Sequence, residues 1–451
     1  MDSERKHILH DNLRPLLFKF SAPAIMGLVV SALYNIVDTI FIGNSVGPLG
    51  IAALSIVMPV QIIMMAIGFM VGTGASSIIS RSLGANNKEN AISTFSNAVI
   101  INLVINIVLM IPLFLFIDRF LHFFGASVEV LPYSRDYMGI ILFGFIFLSF
   151  SIAANNMIRA EGRPRAAMYP MIIGAVINIV LDAILILALN MGVKGAAIAT
   201  ISSQAISCIY ILAYLGYSKS IYWKGLRVIH IRLKLIAEIL KIGFPSFIMA
   251  VVDSIIYLVF NRAIIYYGSD MYLAVMGIGI RLIDFTIMPI IGITQGFSTI
   301  VSFNYGAKLY ERVKKILWEA MAWTTLISTV VMIIMIAFTE QLLRIFTNDA
   351  ALINMGIFPV RVIVILFFTL GIQVVGGSFF QAIGKALPAV IINGLRQVLF
   401  LIPLVLILPI FYGLEGIWYA IPASDLLSTI VTAFFLLFEL RRIRVMEAAI
   451  A

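Results

Sequence analysis

Hydrophobic residues fall into twelve long runs along the chain, separated by short polar breaks, and within each run the polar positions do not alternate with period two. A transmembrane strand alternates apolar and polar residues over about ten positions. A membrane-crossing helix instead needs about twenty mostly apolar residues in a row. The runs lie near 16–42, 49–79, 91–116, 132–158, 166–189, 195–217, 236–266, 272–302, 315–338, 355–382, 388–410 and 416–440. The pattern therefore predicts an all-α, polytopic membrane protein of twelve transmembrane helices, numbered below as the first to twelfth spans.

Composition supports the same class. Of 451 residues, 62% are hydrophobic and 12% are charged, against about 25% charged in soluble domains. The formal net charge of +9 raises the question of a polyanionic partner. The basic residues, however, sit at the N-terminus, in alternate loops and at the C-terminus, while the opposite loops hold only Arg119, Arg135, Lys194 and Arg344. That asymmetry is a topology signal and predicts both termini in the cytoplasm, with no nucleic-acid partner. Cys208 is the single cysteine, so no intrachain disulfide is expected. The N-terminal stretch "MDSERKHILHDNLRPLLFKF" is charged and leads into a full-length span, so no cleavable signal is expected either.

The chain also repeats itself. At an offset of 222 residues, "FSAPAIMGLVV" falls on "IGFPSFIMAVV" and aligns Pro23 with Pro245. At the same offset "GTGASSIISRSLGA" falls on "TQGFSTIVSFNYGA", and "RAEGR" on "QAIGK". "GVKGAAIA" meets "GLEGIWYA" at 221. Six spans separate the copies, so both enter the membrane in the same direction. Two parallel six-helix repeats related by an axis along the membrane normal are expected, an arrangement found in transporters with a site between the halves. The domain reading is an N-terminal lobe over 1–217, a basic linker over 218–235, a C-terminal lobe over 236–440 and a tail over 441–451. The linker, rich in Lys and Arg, is expected to lie as a connector on anionic headgroups.

Four carboxylates are read inside the spans: Asp38, Asp182, Asp253 and Asp284. A carboxylate at the bilayer centre costs at least about 2.5–3.5 kcal/mol, and such acids tend to line pathways or pair with something. Depth follows from a helical rise of about 1.5 Å per residue. Asp182 then lies roughly 24 Å along the fifth span, in its outer half, with Asn178 one turn inward. Asp38 near the outer end of the first span, Tyr137 in the fourth and Thr200 in the sixth reach the same level. Five polar side chains from four helices thus share one depth. Two acids with amide and hydroxyl oxygens suit proton exchange or a bare sodium ion held by Asp38, Asn178, Asp182 and Thr200. The competing reading is polar glue between helices. Against it, the second copy has Phe260 and Pro359 where the first has Asp38 and Tyr137, so the scaffold is duplicated and the acids are not.

Asp253, Asp284 and Asn155 are candidates for a substrate cavity. Arg281 is three residues before Asp284 and can pair with it on one helix face, so a structural role for that acid stays open. Pro23 and Pro245 each remove a backbone hydrogen bond at equivalent places, and the duplication favours a hinge. Other chemistries are poorly served. No phosphate-binding glycine loop is present, His7, His10, His122 and His230 lie outside the spans, and no Ser/His/Asp set assembles. Neither an enzyme nor a cofactor is expected.

Over essentially its whole length the chain resembles the multidrug and toxic compound extrusion (MATE) transporters, most closely their DinF-like branch. The carrying residues are "SAPAIMGLVVSALYNIVDTIFIG", "GTGASSIISRSLGA", "RAEGRPR" and "NIVLD". By that resemblance Asp38, Tyr137, Asn178, Asp182 and Thr200 match the cation-coupling cluster of the N-terminal lobe. Asp253 matches an acid of the C-terminal lobe in the NorM-like branch, whose second acid is Leu370 here. The resemblance implies a monomeric antiporter in a prokaryotic plasma membrane. It would export amphipathic, often cationic organic compounds from a cavity between two rocking lobes, in exchange for inward H+ or Na+. A flippase for lipid-linked precursors is the alternative from the same superfamily. A channel or non-transporting receptor is the alternative from another class, and it would need neither the repeat nor a buried acidic cluster confined to one half.

Overall fold

The computed structural model describes residues 2–217, 220–223, 230–347 and 349–449. Among the described residues every regular element is helical, and twelve helices are long and apolar enough to cross a membrane, from Leu13–Ile42 to Leu414–Ala448. Helices satisfy this requirement because their backbone N–H and C=O groups pair within the segment, leaving none for the hydrocarbon. Their amphipathicity is inverted relative to a soluble protein. On the third span, Lys88–Leu115, Leu103, Val104, Ile107, Val108, Ile111 and Leu115 are exposed, while Thr94, Asn97, Asn102 and Asn106 are buried.

Two compact units emerge. Unit 1 comprises Met1–Lys6 and Met26–Phe247, and unit 2 comprises His7–Ile25 and Ile248–Ala451. The chain therefore changes unit within the helix Leu13–Ser45 and again within the helix Leu233–Tyr267. Each change falls shortly after a proline inside the helix, Pro23 in one case and Pro245 in the other.

In unit 1 the second span (Pro48–Gly84) and the fourth (Leu131–Ala160) approach closely through small residues. A Cβ at Gly68 would stand 2.9 Å from the Ser149 carbonyl oxygen, and one at Gly72 would stand 2.9 Å from the Ala153 Cα. This is a small-xxx-small contact, which lets backbones pack where lipid supplies no hydrophobic drive between helices. The third span adds polar ties: the Asn102 and Asn106 amides donate to Ser149 Oγ at 2.9 and 3.0 Å. Unit 2 packs Phe260, Ile264, Val364, Phe367, Val405 and Trp418 into one core.

The sequence repeat has a backbone counterpart. The short helix Ile117–Phe123 recurs as Thr339–Arg344. Gly162 and Gly384 both turn with positive φ, 93° and 81°, a region that costs glycine nothing sterically. Asn86 and Lys308 match at 62° and 59°. The fifth span ends in a π-helical segment, Ala183–Ala188, and the eleventh contains one at Leu395–Leu401. Such π-turns are frequent at functional sites; here the first follows the buried Asp182, and the second carries Arg396, which bonds the buried Asp425.

The described residues of the linker pack against unit 1. Ser220 is buried and donates to both carboxylate oxygens of Glu161 at 3.1 and 3.0 Å, and the Ile221 N–H donates to Glu161 Oε1 at 3.0 Å. Tyr222 is fully buried, stacks on Phe95 at 4.3 Å between ring centroids, and donates to the Met157 carbonyl. Asn97 closes the far end, donating to the His230 carbonyl and accepting from the Arg232 N–H. Apolar burial and these hydrogen bonds hold the described linker residues on unit 1. Positions 218–219 and 224–229 of the expected linker lie outside the described residues.

Candidate functional site

Asp38 sits on the first span with Tyr34 one turn before it, and Asp182 closes the α-helical part of the fifth span just where the π-turn begins. Asp38 is 9% exposed and Asp182 is 0% exposed. The two carboxyl groups face each other within hydrogen-bonding reach. Tyr34 and Tyr137 lie close enough to both acids to interact electrostatically, and the Gln61 amide donates to the Tyr137 hydroxyl at 3.4 Å. Asn178, one turn before Asp182 on the same helix face, is 1% exposed. Among the described residues no Lys or Arg pairs with either acid.

The pair is short of hydrogen-bond donors. Asp38 Oδ1, both Asp182 carboxylate oxygens and Asn178 Oδ1 are buried with no hydrogen-bond partner. Buried polar atoms are paired in the great majority of native structures, and leaving one unpaired costs about 1–3 kcal/mol. Two buried carboxylates with no basic partner among the described residues resist ionisation, so protonation relieves them. Four orphaned oxygens also fit a hard monovalent cation, since such ions take oxygen ligands. Among the described residues no group of three or more His, Cys, Asp or Glu side chains gathers as it would around a transition metal.

The remaining site residues are placed as follows. Thr200 is 9% exposed on the helix Gly192–Tyr217, and among the described residues no hydrogen bond ties its hydroxyl to the acids. Asn155 is buried in unit 1 with its Oδ1 unpartnered. Asp253 and Asp284 are exposed acids of unit 2, near enough to interact electrostatically. Asp253 accepts a hydrogen bond from the Gln397 amide. Arg281 does not pair with Asp284: among the described residues no ion pair joins them, so the spacing alone did not make the bridge.

Three polar participants escaped the sequence reading. Tyr34 and Gln61 line the acid pair, and Tyr34 was within reach of the i, i+4 rule from Asp38. Asp425 is a further intramembrane acid, fully buried within the helix Leu414–Ala448. The count of four overlooked it, although "IPASDLLS" lies well inside the twelfth run.

Comparison with known proteins agrees with this architecture. The MatE family model matches residues 23–184 and again 245–407, each match opening at one of the two helix prolines. The "Multidrug export protein MepA" of Staphylococcus saprophyticus is 28% identical over 427 residues, covering 94% of this chain and 93% of that protein. Its namesake in Staphylococcus aureus is 28% identical over 430 residues, with the same coverage. Among solved structures, the "Outward-facing conformation of a multidrug resistance MATE family transporter of the MOP superfamily" superposes with a TM-score of 0.92 at 25% identity, covering 97% of this chain and 98% of that one. A "Crystal structure of MATE in the bent conformation" also gives 0.92 at 25% identity, covering 98% and 99%. The family model spans well over half of the sequence in two matches that follow the internal repeat, and the chain belongs to the MatE family of membrane transporters.

Proposed function

We propose that this protein is a secondary antiporter that exports amphipathic organic cations across a prokaryotic plasma membrane in exchange for inward H+ or Na+. The observation that carries the reading is the Asp38–Asp182 pair, buried and facing, with no basic partner among the described residues. Such a pair holds a proton or a small cation and releases it when its surroundings change. The multidrug export named for the staphylococcal relatives supports the substrate class. In this reading the N-terminal half, residues 1–217, carries coupling through Asp38, Tyr137, Asn178, Asp182 and Thr200. Asp253 and Asp284 in the C-terminal half attract the positive end of the substrate. Pro23 and Pro245 serve as hinges for alternating access, because each weakens its helix close to where the chain changes unit. The basic-loop asymmetry supports a cytoplasmic position for both termini.

The test is efflux of a fluorescent lipophilic cation from proteoliposomes, with the proton gradient and the sodium gradient imposed one at a time. Acceleration by one gradient is expected and identifies the coupling ion. Efflux that is indifferent to both would remove the antiport reading.

A further inference from the structure

Unit 2 contains a charged network of its own. The π-helical segment Leu395–Leu401 places Arg396 and Gln397 side by side in sequence, and the two reach different acids. Arg396 Nε donates to Asp425 Oδ1 at 2.6 Å, and the Gln397 amide donates to Asp253. Asp425 is 0% exposed, and its Oδ2 has no hydrogen-bond partner. The Arg396 side chain is 30% exposed, so it is seated on Asp425 without being sealed in. Gln373 braces the assembly, its amide donating to the Asp425 carbonyl at 2.8 Å and to Thr429 Oγ1 at 2.7 Å. Arg396 and Asp253 also lie close enough to interact electrostatically.

One guanidinium thus interacts with two carboxylates, bonded to the buried one and within electrostatic reach of the exposed one. The sequence repeat adds a reason to look for function here. At the 222 offset Asp425 falls on Ser203 and Arg396 on Gly174, so the duplicated scaffold does not require this pair. We infer that Asp425 acts as a holding carboxylate for Arg396, and that by keeping this internal cation off Asp253 it leaves Asp253 free to bind the positive group of a substrate. Arg396 then sets cation selectivity as a tethered competitor, and Asp425 acts through Arg396 without touching the substrate. A buried carboxylate stripped of its partner is costly, and an arginine released from Asp425 finds its next acid at Asp253. The inference rests on the proposed role of Asp253 as the acid that meets the substrate cation.

The experiment measures equilibrium binding of tetraphenylphosphonium, a lipophilic monocation, to the full-length protein in lipid nanodiscs, with thermal unfolding as the check on folding. Asp253→Asn is expected to weaken binding about tenfold, roughly 1.4 kcal/mol, as loss of a close charge partner should. If it binds like the unaltered protein, Asp253 is not the substrate acid, and that earlier reading fails on its own. Asp425→Asn is expected to weaken binding by a similar factor although Asp253 is intact. Adding Arg396→Gln to Asp425→Asn is expected to restore affinity to within about threefold, because the competitor is gone. A purely structural pair would behave otherwise, since removing both members would leave binding as weak as removing one. The inference is overturned if Asp425→Asn binds normally while Asp253→Asn does not, or if the double variant shows no recovery. Should Asp425→Asn fail to fold, Asp425→Ser takes its place, serine being the residue at the equivalent position of the first repeat. Weakened binding that recovers when Arg396→Gln is added is again expected, and normal binding or no recovery overturns the inference.

Discussion

Ser80 and Ser302 make the same hydrogen bond in the two halves of the chain. Ser80 Oγ donates to the Ala160 carbonyl at 3.2 Å, and Ser302 Oγ donates to the Ala382 carbonyl at 2.8 Å. Both serines are 1% exposed. Each carbonyl lies at the end of a helix, where the last turn leaves C=O groups without an intrahelical partner. The serine therefore ties the second helix of its half to the end of the fourth. Replacing either by alanine should lower unfolding stability by about 1 kcal/mol, the usual worth of one buried hydrogen bond. The double variant should show the sum, since the sites share no partner. Chemical or thermal unfolding of the two single variants and the double one measures this. A loss confined to one half would show that the repeat is conserved in shape but not in energetics.

The pair Asp38 and Asp182 was legible because depth along a membrane helix can be counted from the sequence at a fixed rise per residue. The same counting, together with the offset of 222, anticipated the bundle of two similar halves. It did not reveal which residues meet sideways. Glu161 and Ser220 are 59 apart in sequence and bond across a buried face, and nothing in the periodicity of either segment encodes that encounter. The bond between Arg396 and Asp425 depends on the π-turn at Leu395–Leu401, which rotates side chains relative to an α-helix and so defeats face-counting. Arg281 and Asp284 fail in the opposite sense. Their spacing permits a pair, and the fold leaves them apart.

Neutralising the acid pair should uncouple transport. Asp38→Asn and Asp182→Asn preserve size and remove one titratable group each. Each is expected to reduce ion-driven efflux by at least about tenfold, given that one charge-assisted contact is worth roughly 1.5–3 kcal/mol. Folding should be unharmed, because a buried carboxylate without a basic partner contributes little stability. Normal efflux by both variants under an imposed gradient would return the pair to the role of polar glue.

Glu161 makes a prediction about pH. It lies in the loop between Leu131–Ala160 and Pro164–Ala188, and burial raises its carboxyl above the ordinary 4.5, opposed by Arg163, the Ile221 N–H and Ser220. With the folded value above the unfolded one, the native state binds the extra proton, so stability falls as pH rises through that interval. Glu161→Gln still accepts from Ser220 but cannot ionise. Comparing unfolding midpoints of the two proteins from pH 4.5 upward should show a steeper decline with pH for the natural residue. Parallel curves would mean that Glu161 does not carry the dependence.

Orientation can be read with cysteine labels. Glu89 is 85% exposed in its side chain, and Ser45 is also exposed. With Cys208 first replaced by serine, an impermeant thiol reagent applied to whole cells should label Ser45→Cys and spare Glu89→Cys. Labelling of the second alone would invert the topology.

The last prediction concerns how much work the coupling can do. If one proton enters for each monovalent cation expelled, no net charge crosses and the membrane potential contributes nothing. A gradient of one pH unit, about 1.36 kcal/mol, then sustains only about a tenfold substrate gradient. With two protons, one net charge moves inward, and the potential adds roughly 2.3 kcal/mol per 100 mV. Two protons also supply about 2.7 kcal/mol chemically, so the limit at one pH unit and 100 mV rises to several thousandfold. Asp38 and Asp182 are two carboxyl groups within reach of each other, which gives the site room for two charges per cycle. Exchange of a monovalent cation is therefore expected to be electrogenic. Collapsing the potential with potassium and valinomycin, at fixed pH and sodium gradients, should slow its efflux and lower the final gradient. If both stay unchanged, the two carboxylates together carry a single charge, and Asp38 and Asp182 work as one site that shares one proton.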